Sequence, residues 1–82
     1  MERRPMNKQR RKRLNDAAEL LRSALDIVNE CRDEEEEAME NMPESLQESD
    51  RYSELEENCE TLSEIADSID ETISDIEDIT EV

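Results

Sequence analysis

Eighty-two residues, 44% of them charged and summing to a formal net charge of −16, make one domain with a modest core at most. Gly, His and Trp are absent, which excludes glycine-rich phosphate loops and histidine chemistry, and leaves too few ligands for a zinc site. Charge this dense is compatible with disorder, so the periodicity of the remaining apolar residues decides the class.

The chain opens on a basic stretch. Met6-Asn7-Lys8 reads as a natural start, which makes residues 1–5 an upstream extension and 1–6 a disordered N-terminal segment. From about residue 7 to 41 an apolar series runs Leu14, Ala17, Leu21, Ala24, Val28 and Cys31, then Glu35, Ala38 and Met42. Spacings of three and four alternate, as they do on a helix that presents one narrow stripe to a partner. Glu35 interrupts the stripe while its neighbours keep the phase.

A connection follows at about 42–49. Pro43 disfavours helix at Met42 and suits the first turn of a new element. Ser45-x-x-Glu48 offers a cap for a short extra turn, and Ser49 or Asp50 a cap for the next helix. That second helix is predicted over about 50–80. Tyr52, Leu55, Cys59, Leu62, Ala66, Ile69, Ile73 and Ile76 hold the heptad spacing, and Thr80 continues it weakly. At about 1.5 Å per residue, each helix is roughly 45–50 Å long.

Similar lengths and a short connection predict an all-α antiparallel two-helix hairpin, coiled-coil-like, in a single domain over 7–82. Folding at the connection sets Leu14 against Ile76, Leu21 against Ile69 and Val28 against Leu62. It also sets Cys31 against Cys59, as two buried, inert thiols. Leu20, Ile27, Ile65 and Ile79 lie one position before seam residues and widen the apolar face. A second hairpin laid on them would complete a four-helix bundle, so a homodimer is expected through these four residues.

Charge is segregated along the chain. Residues 1–13 hold seven bases against Glu2, whereas residues 14–82 hold 25 acids against Arg22, Arg32 and Arg51. Helix 1 therefore starts basic and ends on Glu34–Glu37, the reverse of what a helix dipole favours. At the open end of the hairpin, Lys8–Arg13 can pair with Asp75–Glu81, within a chain or across a dimer. At the turn end no such pairing is available, and Arg51 is the one base among the acids. Glu34, Glu35, Glu36, Glu37, Glu40, Glu44, Glu48, Asp50, Glu54, Glu56 and Glu57 gather there, and they are the candidate partner-binding residues.

Twenty-five acids over such a rod give about one negative charge per 2 Å, against about one per 1.7 Å of axis in duplex DNA. A hairpin of that density is suited to the basic, nucleic-acid-binding surface of another protein, reached by long-range steering. The plainer alternative is that the acids serve solubility. The basic start could also contact nucleic acid, but it lacks stacking aromatics and has acids around it, so direct nucleic-acid binding is disfavoured.

The basic start "MNKQRRKRLNDA", the centre "RDEEEEAMENMPESLQES" and the tail "SEIADSIDETISDIEDI" resemble small acidic helical-hairpin proteins of bacteriophages and prophages, over residues 6–79. The resemblance implies a bacterial host cytoplasm as the setting. It also implies inhibition of a host nuclease or a CRISPR-type defence complex as the function class. It supplies no site residues.

Catalysis is not expected. No activated-nucleophile arrangement is present, and solvated carboxylates outside a cleft do not act as general acids. No EF-hand loop is spelled out, no cofactor or metal is expected, and no apolar run approaches a membrane span. The competing function class is an adaptor that joins an oligomeric assembly through its apolar stripe.

Overall fold

The computed structural model describes residues 6–81. The predicted disordered segment at 1–6 lies outside them except for Met6. Two helices, α1 (Lys8–Glu40) and α2 (Asp50–Thr80), run antiparallel and pack on each other along their length. A single 3-10 turn at Glu44–Leu46 sits between them. The hairpin measures 61 × 24 × 13 Å.

Local chemistry accounts for the boundaries. The Asn7 side chain accepts hydrogen bonds from the backbone N–H of Gln9 and Arg10, at 2.8 and 3.2 Å, and starts α1. Pro43 opens the 3-10 turn with extended backbone, so the extra turn begins at Pro43 and Ser45 is no cap. Ser49 caps α2 by accepting from the Tyr52 backbone N–H at 3.2 Å, and its hydroxyl donates to the Leu46 carbonyl.

The seam of α2 is the predicted one. Leu55, Cys59, Ala66, Ile73 and Thr80 are buried, and Tyr52, Leu62, Ile69 and Ile76 are half-buried between them. The seam of α1 differs in phase. Ala18 is its buried residue, and Leu14, Leu21, Leu25, Val28, Arg32, Glu35, Met39 and Met42 are half-buried. Every second position predicted for that helix is therefore one residue early. Ala17 and Ala24 sit at the rim, and Cys31 and Ala38 are exposed.

The register moves with the phase. Glu35 meets Asn58, and Arg22 meets Glu77, both across the two helices. Aligning the two heptad seams on these contacts sets Leu14 level with Thr80, Leu21 with Ile73, Val28 with Ala66 and Glu35 with Cys59. Val28 is thus one turn from the Leu62 level expected for it, because the 3-10 turn takes up chain and moves the centre of the fold from Ser45 to Gln47. Cys31 and Cys59 do not share a layer: Cys31 is exposed and Cys59 is buried.

The core is thin. Among the described residues, Leu55 is the one large side chain that is fully buried. Leu20, Ile27, Leu46, Ile65 and Ile79 are all exposed, Leu20 at 73% and Ile27 at 59%. A single hairpin thus leaves much of its large apolar inventory in water.

Candidate functional site at the turn end

The end of α1, the connection and the start of α2 converge to form an acidic tip. Ten of the eleven candidate acids are exposed, and Glu35 is half-buried. They do not form one face. In the heptad frame, Glu36 and Glu56 flank the seam on the side where Arg22 meets Glu77. Glu34 and Glu54 lie on the opposite side, and Glu37 and Glu57 on the outer backs of the helices. Glu40 at the end of α1, Glu44 and Glu48 in the connection and Asp50 at the start of α2 add exposed carboxylates at the end of the rod.

Little of this charge is answered within the chain. Among the described residues the ion pairs are Arg22–Glu77 at 3.2 Å, Arg32–Asp33 at 3.4 Å and Arg51–Glu54 at 3.6 Å. Two of these reach the turn end, and both join near neighbours in sequence with exposed carboxylates. Such pairs are weak. Glu35 is the exception in kind: its Oε2 accepts a 3.0 Å hydrogen bond from Asn58 Nδ2. It is a register element of the seam as much as a surface acid.

The open end departs from expectation. Because Leu14 is level with Thr80, the first turns of α1 project past the end of α2. Among the described residues, no ion pair joins Lys8–Arg13 to Asp75–Glu81. Arg11 instead donates to the Met6 carbonyl at 3.0 Å. The α2 carboxylate that does find a base in α1 is Glu77, and its partner, Arg22, lies two to three turns further along.

Cys59 sits in the seam just inside the tip. Burial raises the pKa of its thiol, Glu36 and Glu35 raise it further, and Arg32 opposes them. A thiol held protonated by burial and by carboxylates is a poor nucleophile and a poor metal ligand. Among the described residues, no cluster of three or more His, Cys, Asp or Glu side chains is arranged to hold a metal ion. Among the same residues, no helix is long and apolar enough to cross a membrane.

Comparison with protein-family models, curated proteins and solved structures finds no match to this chain. The candidate site therefore rests on its own chemistry. Sequence reasoning located the acids but missed Asn58 and Arg32 as seam partners. Arg32 is a charged residue at a seam position, and the signal that could have found it is the unbroken heptad Ala18, Leu25, Arg32, Met39.

Proposed function

We propose that this hairpin is a non-enzymatic acidic binding protein, a phage-type inhibitor acting in the bacterial cytoplasm. It occupies the basic, nucleic-acid-binding surface of a host nuclease or CRISPR-type defence complex. The observation that carries this reading is the tip: exposed carboxylates on three faces, with few bases beside them.

A rod 61 Å long that bears 25 acids beyond Glu2 has one per about 2.4 Å, within reach of the spacing on a duplex. Concentrating them at one end raises the local density further. In water such a cluster repels itself, and that cost is recovered where a basic cleft replaces solvent and counterions. The expected contacts are Glu36, Glu37, Glu40, Glu44, Glu48 and Asp50 with their α2 neighbours Glu54, Glu56 and Glu57.

The test is capture from a host lysate on immobilised hairpin, followed by a cleavage assay with the captured nuclease. Binding should be strong at low salt and lost by about 0.5 M, where screening is severe. Glu36, Glu37, Glu40 and Glu57 replaced together by Gln should weaken both binding and inhibition. Unchanged affinity in that variant rejects the tip as the site.

The adaptor reading draws on a different observation, the exposure of Leu20, Ile27, Ile65 and Ile79. An adaptor working through those residues binds in a way that resists salt, so the same capture separates the two.

A further inference from the structure

We propose that the side of the hairpin carrying Leu20, Ile27, Ile65 and Ile79 is the interface for a second copy of this chain, laid antiparallel so that the basic start of α1 in each copy covers part of the acidic tip of the other.

The two long sides of the hairpin differ in chemistry. The side where Arg22 meets Glu77 is charged on both helices, with Glu36, Glu56, Asp70 and Glu77 beside the seam. On the other side, α1 presents Ala17, Leu20, Ala24, Ile27 and Cys31 at alternating spacings of three and four. Beside them α2 presents Asn58, Thr61, Ile65, Ser68, Thr72 and Ile79. None of these eleven residues carries a formal charge, in a chain that is 44% charged; Asp75 interrupts the α2 stripe between Thr72 and Ile79, and Glu34 and Glu54 bound the face at the tip. The bond from Asn58, in the α2 stripe, to the seam carboxylate of Glu35 places that stripe beside α1. In an antiparallel pair, equivalent flanks of the two seams fall on the same side, so the fold itself brings the stripes together.

What covers this face is indicated by symmetry and charge. Closed homodimers use one self-complementary patch, related by a twofold axis. The midpoint between Leu20 and Ile27 falls beside Ser23 and Ala24, and the midpoint between Ile65 and Ile79 falls at Thr72. The register places Thr72 within a turn of Ala24. One twofold axis across the rod at that level therefore sets Leu20 against the partner's Ile27 and Ile65 against the partner's Ile79, each pair twice. The same axis carries Arg13 to the level of the partner's Glu34 and Arg10 to the level of the partner's Glu37. The alternative twofold, along the rod, stacks tip on tip and sets Glu34 and Glu54 of both copies together. Like charges disfavour it.

The register supplies the reach. Lys8–Arg13 project past Thr80, so they are available to the partner's tip without leaving acids of their own chain. A face on a rod 61 Å long and 24 Å wide can contribute the roughly 800 Å² per partner that standard interfaces bury. It would also shelter the exposed apolar side chains that the thin core leaves outside. Glu36, Glu40 and Glu56 lie on the other flank, so the dimer keeps those acids outward, while Glu37 and Glu54 of the contact set proposed above come near the partner's basic start.

Sedimentation velocity on the full chain tests the proposal. A dimer is expected at micromolar concentration. Leu20→Glu with Ile27→Glu should give a monomer with retained helical ellipticity, since both side chains are exposed in the single hairpin. Arg13→Glu alone should raise the dimer Kd about tenfold, since its effect counts twice across the axis, and so should Glu34→Arg. The double variant R13E/E34R should restore it. In a Cys31→Ser background, Ala24→Cys should oxidise to a covalent dimer, since Ala24 lies beside the axis. A wild-type monomer at all concentrations overturns the proposal. So does a dimer in which A24C gives no cross-link and R13E/E34R gives no rescue.

Discussion

Glu35 and Asn58 are joined by a 3.0 Å hydrogen bond from amide to carboxylate, which sets an acid inside the seam and locks one helix against the other. The half-buried carboxylate gives up part of its hydration for one amide partner, and Cys59 lies at the same level. A polar group at a seam position specifies register at a cost in stability. Replacing Glu35 by Leu should therefore stabilise the hairpin by about 1 kcal/mol through added apolar burial. Thermal unfolding by circular dichroism should show a rise of roughly 4–8 °C. A lower melting temperature would mean that the Asn58 bond outweighs the burial it prevents.

The register itself is open to a direct check. In a background with Cys31→Ser and Cys59→Ser, the pair Val28→Cys with Ala66→Cys should form an intramolecular disulfide under mild oxidation. Val28→Cys with Leu62→Cys, one turn away, should not, since bridged Cα atoms must lie within about 7 Å. Mass spectrometry of the oxidised, unreduced protein reads the outcome. Closure of the second pair in preference to the first would refute the alignment.

The residues show why α2 was legible from sequence and α1 only in part. Each seam position of α2 from Tyr52 to Ile76 is apolar or a thiol, with no equally apolar neighbour at most positions, so one phase fits. In α1, Ala17 stands beside Ala18 and Ala24 beside Leu25, and both members of each pair complete the spacing from Leu14 to Leu21 to Val28. Cys31 then favours the wrong member by composition, since the true seam passes through Arg32, although Met39 beside Ala38 marks the right one. An arginine can occupy that position because its stem lies along apolar surface while the guanidinium reaches Asp33 at 3.4 Å. The register was beyond the periodicity for a related reason: it depends on how much chain the connection consumes, and the 3-10 turn after Pro43 is a backbone event with a weak signature. The acidic tip, by contrast, follows from connectivity alone, since any fold that reverses near Pro43 gathers those carboxylates.

Leu55 is the test of how little holds the hairpin together. It is 2% exposed, and no other large side chain among the described residues is as deeply buried. Leu55→Ala should cost about 2–5 kcal/mol, the range for truncating a buried leucine. For a core this thin, that is enough to abolish cooperative unfolding near room temperature. Leu20→Ala, at a site 73% exposed, should leave the helical content unchanged. Equal losses of ellipticity in the two variants would contradict the seam assignment.

The two thiols should differ in rate and in pH response. Cys31 is exposed and should react with a disulfide reagent promptly, while Cys59 should react only as fast as the hairpin opens. The Cys59 pKa is raised in the folded state, so the native chain holds that proton more tightly than the unfolded one. The sign follows: its contribution to stability is whole below the ordinary thiol value of 9.0 and is lost as pH rises from there through the raised folded value. Between pH 8 and 10, denaturant midpoints should fall more for the wild type than for Cys59→Ala. Parallel slopes for the two proteins would show that the thiol does not contribute.

The tip should be a source of instability in isolation and of affinity in a complex. Its carboxylates crowd the last turn of α1, where the helix dipole already disfavours anions, and that turn has no basic residue to offset them. Replacing Glu36, Glu37, Glu40 and Glu57 by Gln removes four like charges while preserving size and helix propensity. In low salt, the free protein should melt at a higher temperature than the wild type. Added salt should narrow the gap, because screening relieves in the wild type what the variant lacks by construction. Stability and binding are then expected to move in opposite directions: the variant is the more stable protein and the weaker ligand for a basic surface. That opposition separates an acidic tip adapted to a partner from acids that serve solubility, for which stability would rise with no loss of binding.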